Sequence, residues 1–385
     1  MGYTDGCDWT KCTRCGLCLS RCPVLGLSPA EAAEEMEKLI SGAPAPRVLD
    51  SCALCFDCNR FCPEGLRPHE LILSRILDAR KGKTPAFLNY LFTGNPPPNL
   101  FTDLYAALSP AEKGILKRWA IKPQKTKEFL FIGCVGRVSC HDIEQSRVLA
   151  PLPKYGPFDQ CCGELHYRAG SWDAFAERAE KTLADLSAVP AERMVCWCGS
   201  CYAFFSQIYP KVYGKKLPFE VTSVYHWLDE RLSAGEIQVK KPLNISAAVH
   251  ESCYVTELPT DFHGLLRRLY TAAGVRCAEL AHNKDENLSC GAVSVARDGN
   301  IFKSMLPAQR KKYAEVKAAG VRDAALNCPG CLLTLGWTSR LYGVRLRYMP
   351  ELLLQAFGDE VTRPLAGRMP MIAKTAAKRW KLLLS

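Results

Sequence analysis

The sequence predicts an α+β protein, with a helical, cysteine-dense N-terminal part followed by two α/β units related by an internal repeat. Three observations carry this. Two compact runs of four cysteines, Cys12–Cys22 and Cys52–Cys62, flank a stretch with helix-start and helix-stop signals. A pattern of apolar strand, cysteine, Cys-Gly turn, helix, short strand and C-x-x-C then occurs twice. Finally, 21 of the 385 residues are cysteine, and they are clustered rather than scattered.

Taken in order, Ser28-Pro29 is a cap-like start with proline in the first turn, and Gly42 is a stop, so a helix is predicted over Pro29 to Ser41. Leu71, Ile72, Arg75, Ile76 and Leu77 suggest a second helix with one apolar face. Residues 82–125 lack cysteine and contain Asn95-Pro96-Pro97-Pro98-Asn99, which reads as a partly helical linker broken by a turn. Phe129 to Gly133 reads as a buried strand ending at Cys134, and its counterpart runs from Ile245 to Cys253. Cys161-Cys162-Gly163 matches Ser289-Cys290-Gly291. Met194-Val195 before Cys198 and Cys201 matches Ala324 to Leu326 before Cys328 and Cys331. The gap from Cys162 to Cys198 holds 35 residues and that from Cys290 to Cys328 holds 37. The expected divisions are 1–81, a linker 82–127, a first unit 128–241, a second unit 242–357 and a basic tail 358–385. The tail carries Arg363, Arg368, Lys374, Lys378, Arg379 and Lys381 with Trp380 and Leu382–Leu384. It reads either as an end helix packed on the body or as a basic amphipathic helix against a partner or a membrane surface.

Composition narrows the class. Met1 to Thr10 holds Asp5 and Asp8 and no apolar core, so no secretory leader or secreted disulfide scaffold is expected. No apolar run approaches the roughly 18–20 residues that span a bilayer. The expectation is a cytoplasmic protein, with peripheral contact at the inner face of a membrane as the tail's option. Its clustered thiols point to metal. The first run is Cys12-x-x-Cys15-x-x-Cys18-x-x-x-Cys22-Pro23, and the second is Cys52-x-x-Cys55-x-x-Cys58-x-x-x-Cys62-Pro63. Three thiolates two residues apart wrap one face of an iron–sulfur cube, and the fourth must come from elsewhere. Zinc would use C-x-x-C pairs but gives no reason for Cys-Pro endings, twice.

These runs resemble the bacterial two-cluster ferredoxin signature. The 29 residues between Cys22 and Cys52 resemble the helical ferredoxin domains of respiratory iron–sulfur subunits. The resemblance implies two [4Fe-4S] clusters with exchanged fourth ligands. One would use Cys12, Cys15, Cys18 and Cys62, and the other Cys52, Cys55, Cys58 and Cys22.

The repeated units resemble the cysteine-rich CCG domains of heterodisulfide reductases and related electron-transfer proteins. The order of parts is similar to the D-type subunit, or to a fusion of separate C and B subunits. The family resemblance implies a [4Fe-4S] cluster of a non-cubane kind held by five thiolates, here Cys134, Cys161, Cys162, Cys198 and Cys201, with Cys140 as a nearby substitute for Cys134. Ser289 departs from the pattern, and a serine alkoxide is a poor replacement for a thiolate at iron. Cys253, Cys290, Cys328 and Cys331 remain, enough for a conventional further [4Fe-4S] cluster if that unit holds one. Cys7, Cys140, Cys196 and Cys277 are left over, and the expectation for them is buried structural thiols, although Cys196 is placed to compete for iron. His250 either donates a hydrogen bond near the cluster or finishes a strand.

The formal charge is +11, but a 2+ four-iron cluster on four thiolates carries roughly −2. Four such clusters would offset most of the surplus, so nucleic-acid binding does not follow. Gly133-x-x-Gly136 is too sparse for a nucleotide fingerprint, so electrons are expected from a partner. The resemblance therefore implies an iron–sulfur electron-transfer subunit of an anaerobic heterodisulfide-reductase-like complex. It would relay single electrons between a partner flavoprotein or other redox subunit and a CCG cluster. The alternative is a catalytic subunit reducing a heterodisulfide at the first CCG unit, with Cys161, Cys162 and His166 as candidate catalytic residues.

Overall fold

The two cysteine runs fold into the same loop, forty residues apart. In the computed structural model, which describes residues 2–379 apart from 82, 84, 85, 94, 260 and 298, four residues at matching positions adopt left-handed backbone. They are Arg14 (φ 59°) and Gly16 (φ 70°) in the first run, and Leu54 (φ 54°) and Phe56 (φ 73°) in the second. Non-glycine residues pay a strain penalty there, so the surrounding packing must enforce the turn. Each loop enters a one-turn helix, Leu17–Ser20 or Asp57–Phe61, which carries the third cysteine of its run. A Cβ on Gly16 would lie 2.3 Å from the backbone nitrogen of Ala33, so only glycine lets the next helix pack this closely.

That helix is Pro29–Ser41, as the sequence predicts. The Ser28 hydroxyl accepts from the Glu31 amide (3.4 Å), and the Glu31 carboxylate accepts from the Ser28 amide (3.0 Å), a reciprocal cap. At its other end Arg75, from helix Pro68–Ala79, donates to the carbonyls of Leu39 (2.8 Å) and Ile40 (3.3 Å). The second predicted helix therefore also caps the first.

Two four-stranded sheets follow, each wholly parallel. The strands of the first are β1 (Thr126–Phe131), β2 (Lys154–Tyr155), β3 (Ala191–Cys196) and β4 (Glu220–Ser223), in the order β2-β1-β3-β4. Those of the second are β5 (Ile245–His250), β6 (Val275–Ala278), β7 (Asp323–Leu326) and β8 (Arg345–Tyr348), in the equivalent order β6-β5-β7-β8. The internal repeat is thus a repeat of topology. The second unit's leading strand is shorter than the sequence pattern suggests. It leaves the sheet at His250, and Cys253 opens a tight helical turn, Cys253–Glu257. In both sheets the chain order reverses between the two central strands, and the cysteines follow those strands' carboxyl ends. That is the crevice in which parallel sheets place their ligands.

Side chains alternate across β1, and its two faces serve different cores. Leu130 and Ile132 pack with the second unit and with Phe101, Leu104, Ile115 and Trp119. Phe129 and Phe131 pack with the N-terminal part, including Leu19, Met36 and Ile72. The first unit is therefore the shared middle layer. Segment 82–127, read from sequence as a linker, contains helices Ala86–Leu91, Leu100–Ala107 and Pro110–Trp119, and the last two contribute to the core beside the second unit.

The described part of the tail is an end helix, Met369–Ala377, with Met369, Ile372, Thr375 and Ala376 buried. Arg379 pairs with Asp103 (3.0 Å), and Arg368 pairs with buried Glu112. Trp380 and Leu382–Leu384 lie outside the described residues. No described helix is long and apolar enough to cross a membrane.

One buried acid near this tail gives a pH test. Glu351 accepts from the Leu365 amide (2.8 Å) and the Ser139 hydroxyl (3.4 Å), and burial pushes its carboxyl from 4.5 up to about 8. The folded state keeps this proton where the unfolded chain has lost it, so stability falls as pH rises from about 4.5 to about 8. Glu351→Gln keeps the accepting oxygen without the charge. It is expected to stabilise by about 3 kcal/mol at pH 8.5, raising the thermal midpoint by several degrees, and to change little at pH 5. Matching midpoints for variant and wild type at pH 8.5 would contradict this.

Candidate metal centres

All 21 cysteines are thiols, with no disulfide among them. Cys12, Cys15, Cys18 and Cys62 together line one small cavity of ≈ 20 Å³, with Trp9, Met36 and Pro63 in its wall. Burial pushes the Cys18 thiol up to about 12, with smaller contributions from Cys62, Cys15 and Cys12. Cys15 is exposed, so this group reaches the surface. Cys52, Cys55, Cys58 and Cys22 form a second group. Burial raises Cys52 to about 12, with Cys22 adding to the shift; burial likewise raises Cys58, followed by the thiols of Cys52, Cys18 and Cys22. Cys18 and Cys58 therefore bring the two groups side by side.

The first unit gathers five thiols in a chain of contacts. The Cys134 and Cys161 sulfurs lie 3.9 Å apart. Cys161 is further coupled to Cys162, Cys162 to Cys201, and Cys201 to Cys198. Hydrogen bonds with Cys134 and Cys162 hold the Cys161 thiol well below the usual thiol range. Gly133, at φ 70°, lets this backbone approach Cys201, whose sulfur would lie 3.0 Å from an added Cβ. Buried Arg137 braces the loop by donating to the carbonyls of Gly156 (3.2 Å), Phe158 (2.7 Å) and Gln160. Cys140 lies elsewhere, its sulfur 3.9 Å from the Glu112 carbonyl. Cys196 ends β3 and is buried beside Cys198. Cys7 is near Cys62, and Cys277 sits on β6.

The second unit gathers Cys253, Cys290, Cys328 and Cys331. Gly291 and Gly163 share φ 79°, so the Cys-Gly turn is the same in both units. Ser289 is buried in the place of Cys161, and its hydroxyl accepts from the Gly291 amide (3.3 Å). His250 is buried with both ring nitrogens unpartnered, and burial pushes it down to about 3. His166 is buried against Phe92 (ring centroids 4.3 Å apart) and lowered by burial.

The units meet symmetrically. Tyr225, just after β4, donates to the carbonyl before Cys328, that of Asn327 (2.8 Å). Tyr348, ending β8, donates to the carbonyl before Cys198, that of Trp197 (3.3 Å). The Ser200 hydroxyl lies 3.8 Å from the Cys328 sulfur. An added Cβ on Gly199 would fall 1.9 Å from the Tyr254 hydroxyl, so glycine is required in that C-x-x-C loop.

Glu164 and Arg168 follow the Cys161-Cys162-Gly163 turn in the sequence. In the structure Arg168 joins three parts of the chain. Its guanidinium lies over the Phe56 ring (3.9 Å) and donates to the Leu54 carbonyl (3.0 Å) and to the Cys253 sulfur (3.0 Å); Nε pairs with Glu164 (3.1 Å). Around it, Thr256 donates to Asp57 (2.5 Å), Arg60 to the Val255 carbonyl (2.8 Å), and Arg67 pairs with Glu257 (2.9 Å). The second cysteine run is thereby docked on the second unit's Cys253 turn. Beside that turn lies a cavity of ≈ 390 Å³, lined at one end by Cys253, Ser289, Cys290, Cys328 and Cys331. Cys161, Cys162 and His166 are not among its lining residues.

Four thiols in three of the groups and five in the first unit, soft donors with little competing oxygen, fit iron–sulfur ligation. Among the described residues, no three His, Cys, Asp or Glu side chains converge on one point as ligands of a single ion do. A four-iron cube instead takes one thiolate at each of four separate irons.

Comparison with known proteins agrees. A family model described as a 4Fe-4S dicluster domain matches residues 8–66. The cysteine-rich CCG domain matches twice, over residues 130–206 and 247–336. The chain is 23% identical over 362 residues to the D subunit of dihydromethanophenazine:CoB--CoM heterodisulfide reductase from Methanosarcina barkeri, covering 83% of this chain and 86% of that protein. It is 20% identical over 403 residues to EtfAB:quinone oxidoreductase of Syntrophomonas wolfei, covering 86% of this chain but 55% of that protein. It is 23% identical over 386 residues to the B subunit of fumarate reductase (CoM/CoB) from Methanothermobacter marburgensis, covering 93% and 74% respectively. The chain thus carries a 4Fe-4S dicluster domain followed by two CCG domains, and it is similar over most of its length to the D subunits of heterodisulfide reductases.

Proposed function

We propose that this chain is the electron relay of a multi-subunit redox complex, passing single electrons between a partner flavoprotein or other redox subunit and its CCG centres. Cys12, Cys15, Cys18 and Cys62 would hold one four-iron cluster and Cys52, Cys55, Cys58 and Cys22 a second. Cys134, Cys161, Cys162, Cys198 and Cys201 would hold a third, and Cys253, Cys290, Cys328 and Cys331 a fourth. Bound there, such clusters supply one-electron chemistry over a wide range of potentials.

The observation that carries this reading is contiguity. Cys18 neighbours Cys58, Arg168 ties the loop around Leu54 and Phe56 to Cys253, and Ser200 ties Cys328 to the loop of Cys198 and Cys201. Four thiol groups thus form one unbroken series from the exposed Cys15 into the body. The chain's own residues bury most of these thiols and fix their neighbours, and burial, hydrogen bonds and nearby charge tune such centres. Disulfide chemistry at the first unit has less support, because Cys161, Cys162 and His166 are buried and do not line the large cavity.

Anaerobic purification with iron analysis and low-temperature EPR tests the reading. Cys162→Ala is expected to remove one four-iron cluster, about a quarter of the iron, and to leave the signals of the two N-terminal clusters intact. Loss of all clusters together would contradict the modular assignment. A signal that changes on adding a thiol substrate would favour catalysis over relay.

A further inference from the structure

We propose that Tyr209 and Tyr213 form an outlet for oxidising equivalents, through which damage begun by a peroxide at the first unit's centre leaves the interior as a tyrosyl radical at the surface. This rests on the relay reading, which puts iron at Cys162 and its partners, and adds a protective function to it.

Both tyrosines lie on Phe204–Tyr213, a segment wound wider than an α-helix, a form frequent at functional sites. Tyr209 is fully buried, and its hydroxyl donates to the carbonyl of Cys162 (3.2 Å). Among the described residues, the aromatic rings packed against it are Phe205, Phe175 and Tyr213, with centroids 5.1, 5.9 and 6.2 Å away. Phenylalanine is far harder to oxidise than tyrosine, so of these three neighbours Tyr213 is the onward step. Tyr213 is half-buried, at the end of the segment, and reaches the surface beside exposed Glu180.

Protons decide where an oxidised tyrosine comes to rest, because a phenol that loses an electron becomes a strong acid and needs a base. The Tyr209 hydroxyl meets a carbonyl, which does not hold a proton, so Tyr209 draws its missing electron from Tyr213. The Tyr213 hydroxyl donates to the Glu180 carboxylate, which Lys215 also contacts. Lys215 and Tyr213 hold the Glu180 carboxyl below its usual range, so it is ionised and able to accept. Burial, followed by this carboxylate, pushes the Tyr213 phenol up to about 12, so at neutral pH it keeps its proton until an electron leaves.

The step balances. A peroxide that takes one electron at an iron centre gives hydroxide and a hydroxyl radical. The radical takes a second electron, delivered by Tyr209 from Tyr213, and becomes hydroxide. The Tyr213 O–H bond breaks and its proton forms a new O–H bond on Glu180. Hydroxyl radical, phenol and carboxylate thus become hydroxide, phenoxyl radical and carboxylic acid. A thiol in solution then returns a hydrogen atom to Tyr213 and becomes a thiyl radical, while Glu180 releases its proton to water. Without the outlet the hydroxyl radical would oxidise the nearest sulfurs, which are the iron ligands themselves.

The test mixes the anaerobically purified, cluster-bearing full chain with hydrogen peroxide, freezes it rapidly, and reads EPR and retained iron. A tyrosyl radical is expected in the wild type. Tyr213→Phe should lower its yield roughly tenfold and lose iron about twice as fast. Tyr209→Phe should do the same although Tyr213 and Glu180 remain, and Glu180→Gln should lower the yield several-fold. Tyr155→Phe is the control, because its hydroxyl also donates to a carboxylate, that of Asp185 (2.5 Å), but lies off the route; radical yield and iron loss should match the wild type. If Tyr209→Phe fails to hold its clusters, the half-buried Tyr213→Phe decides the matter. Clusters bleaching in the wild type with no tyrosyl radical, or a full signal in Tyr213→Phe, would overturn the outlet. Failure of the relay reading would look different, as a wild-type chain without iron–sulfur absorbance before any peroxide is added.

Discussion

Arg168→Met is expected to destabilise the folded chain by about 2–3 kcal/mol, because it removes a fully buried cation together with its hydrogen bonds and its pairing with the partly buried Glu164. Arg168 has no exposed surface, and the partly exposed Glu164 would lose its cation. The Leu54 carbonyl would lose a donor as well, and Phe56 the cation over its ring. Since Phe56 and Leu54 are held in left-handed backbone, the second cysteine run would lose part of what enforces its turn. A second effect should be visible even where the variant folds. Arg168 donates to Cys253, so a cluster held by the second unit would lose a hydrogen bond to sulfur, and its reduction potential is expected to fall. Arg168→Lys should recover part of the stability but not the planar group whose Nη1 serves Leu54 and Cys253 while Nε faces Glu164. Thermal unfolding with an EPR-monitored redox titration reads both effects. A loss below about 1 kcal/mol with an unmoved second-unit potential would show that the contact is incidental.

This residue also marks where sequence reading stops. Arg168 contacts Leu54 and Cys253 across 114 and 85 residues, and no local pattern encodes such a meeting. Features that depend on neighbours in sequence were legible. The Ser28 cap, the Gly42 stop and the two Cys-Pro runs gave the helix Pro29–Ser41 and the paired loops, because capping and ligand spacing act within a few residues. The doubled strand-and-cysteine pattern gave two parallel sheets. The end of β5 was misjudged. Burial continues through Glu251 and Ser252, so the composition does not change where the chain leaves the sheet at His250. The role of segment 82–127 was also underread. Its proline-rich centre looks like a linker, whereas Phe101, Leu104, Ile115 and Trp119 give the flanking helices apolar faces that join a core. The large cavity was invisible for the same reason as Arg168, since its walls come from segments that meet only in the folded chain.

The crossed pairing of the two N-terminal groups makes the sharpest genetic prediction. Cys62→Ala is expected to remove the cluster served by Cys12, Cys15 and Cys18, although Cys62 belongs to the other run. Its sulfur lines the same small cavity as those three, and it is the first neighbouring thiol to act on Cys18. Cys22 acts instead on Cys52, Cys55 and Cys58. The physical cause is the one-turn helix that carries each third cysteine and takes the chain past its own loop before the fourth cysteine and proline arrive. Four single variants separate crossed from local ligation without any assignment of spectra. If the ligands are exchanged, Cys62→Ala and Cys15→Ala lose the same EPR signal, and Cys22→Ala and Cys55→Ala lose the other. If each run serves its own cluster, Cys62→Ala pairs with Cys55→Ala instead. The exposed position of Cys15 adds an independent check, because the signal shared by Cys15 and Cys62 should be the first bleached by ferricyanide in the wild-type chain. Each variant should lose about a quarter of the iron if four clusters are present, so a loss of half would mean that the two groups collapse together and that their contact through Cys18 and Cys58 supports both.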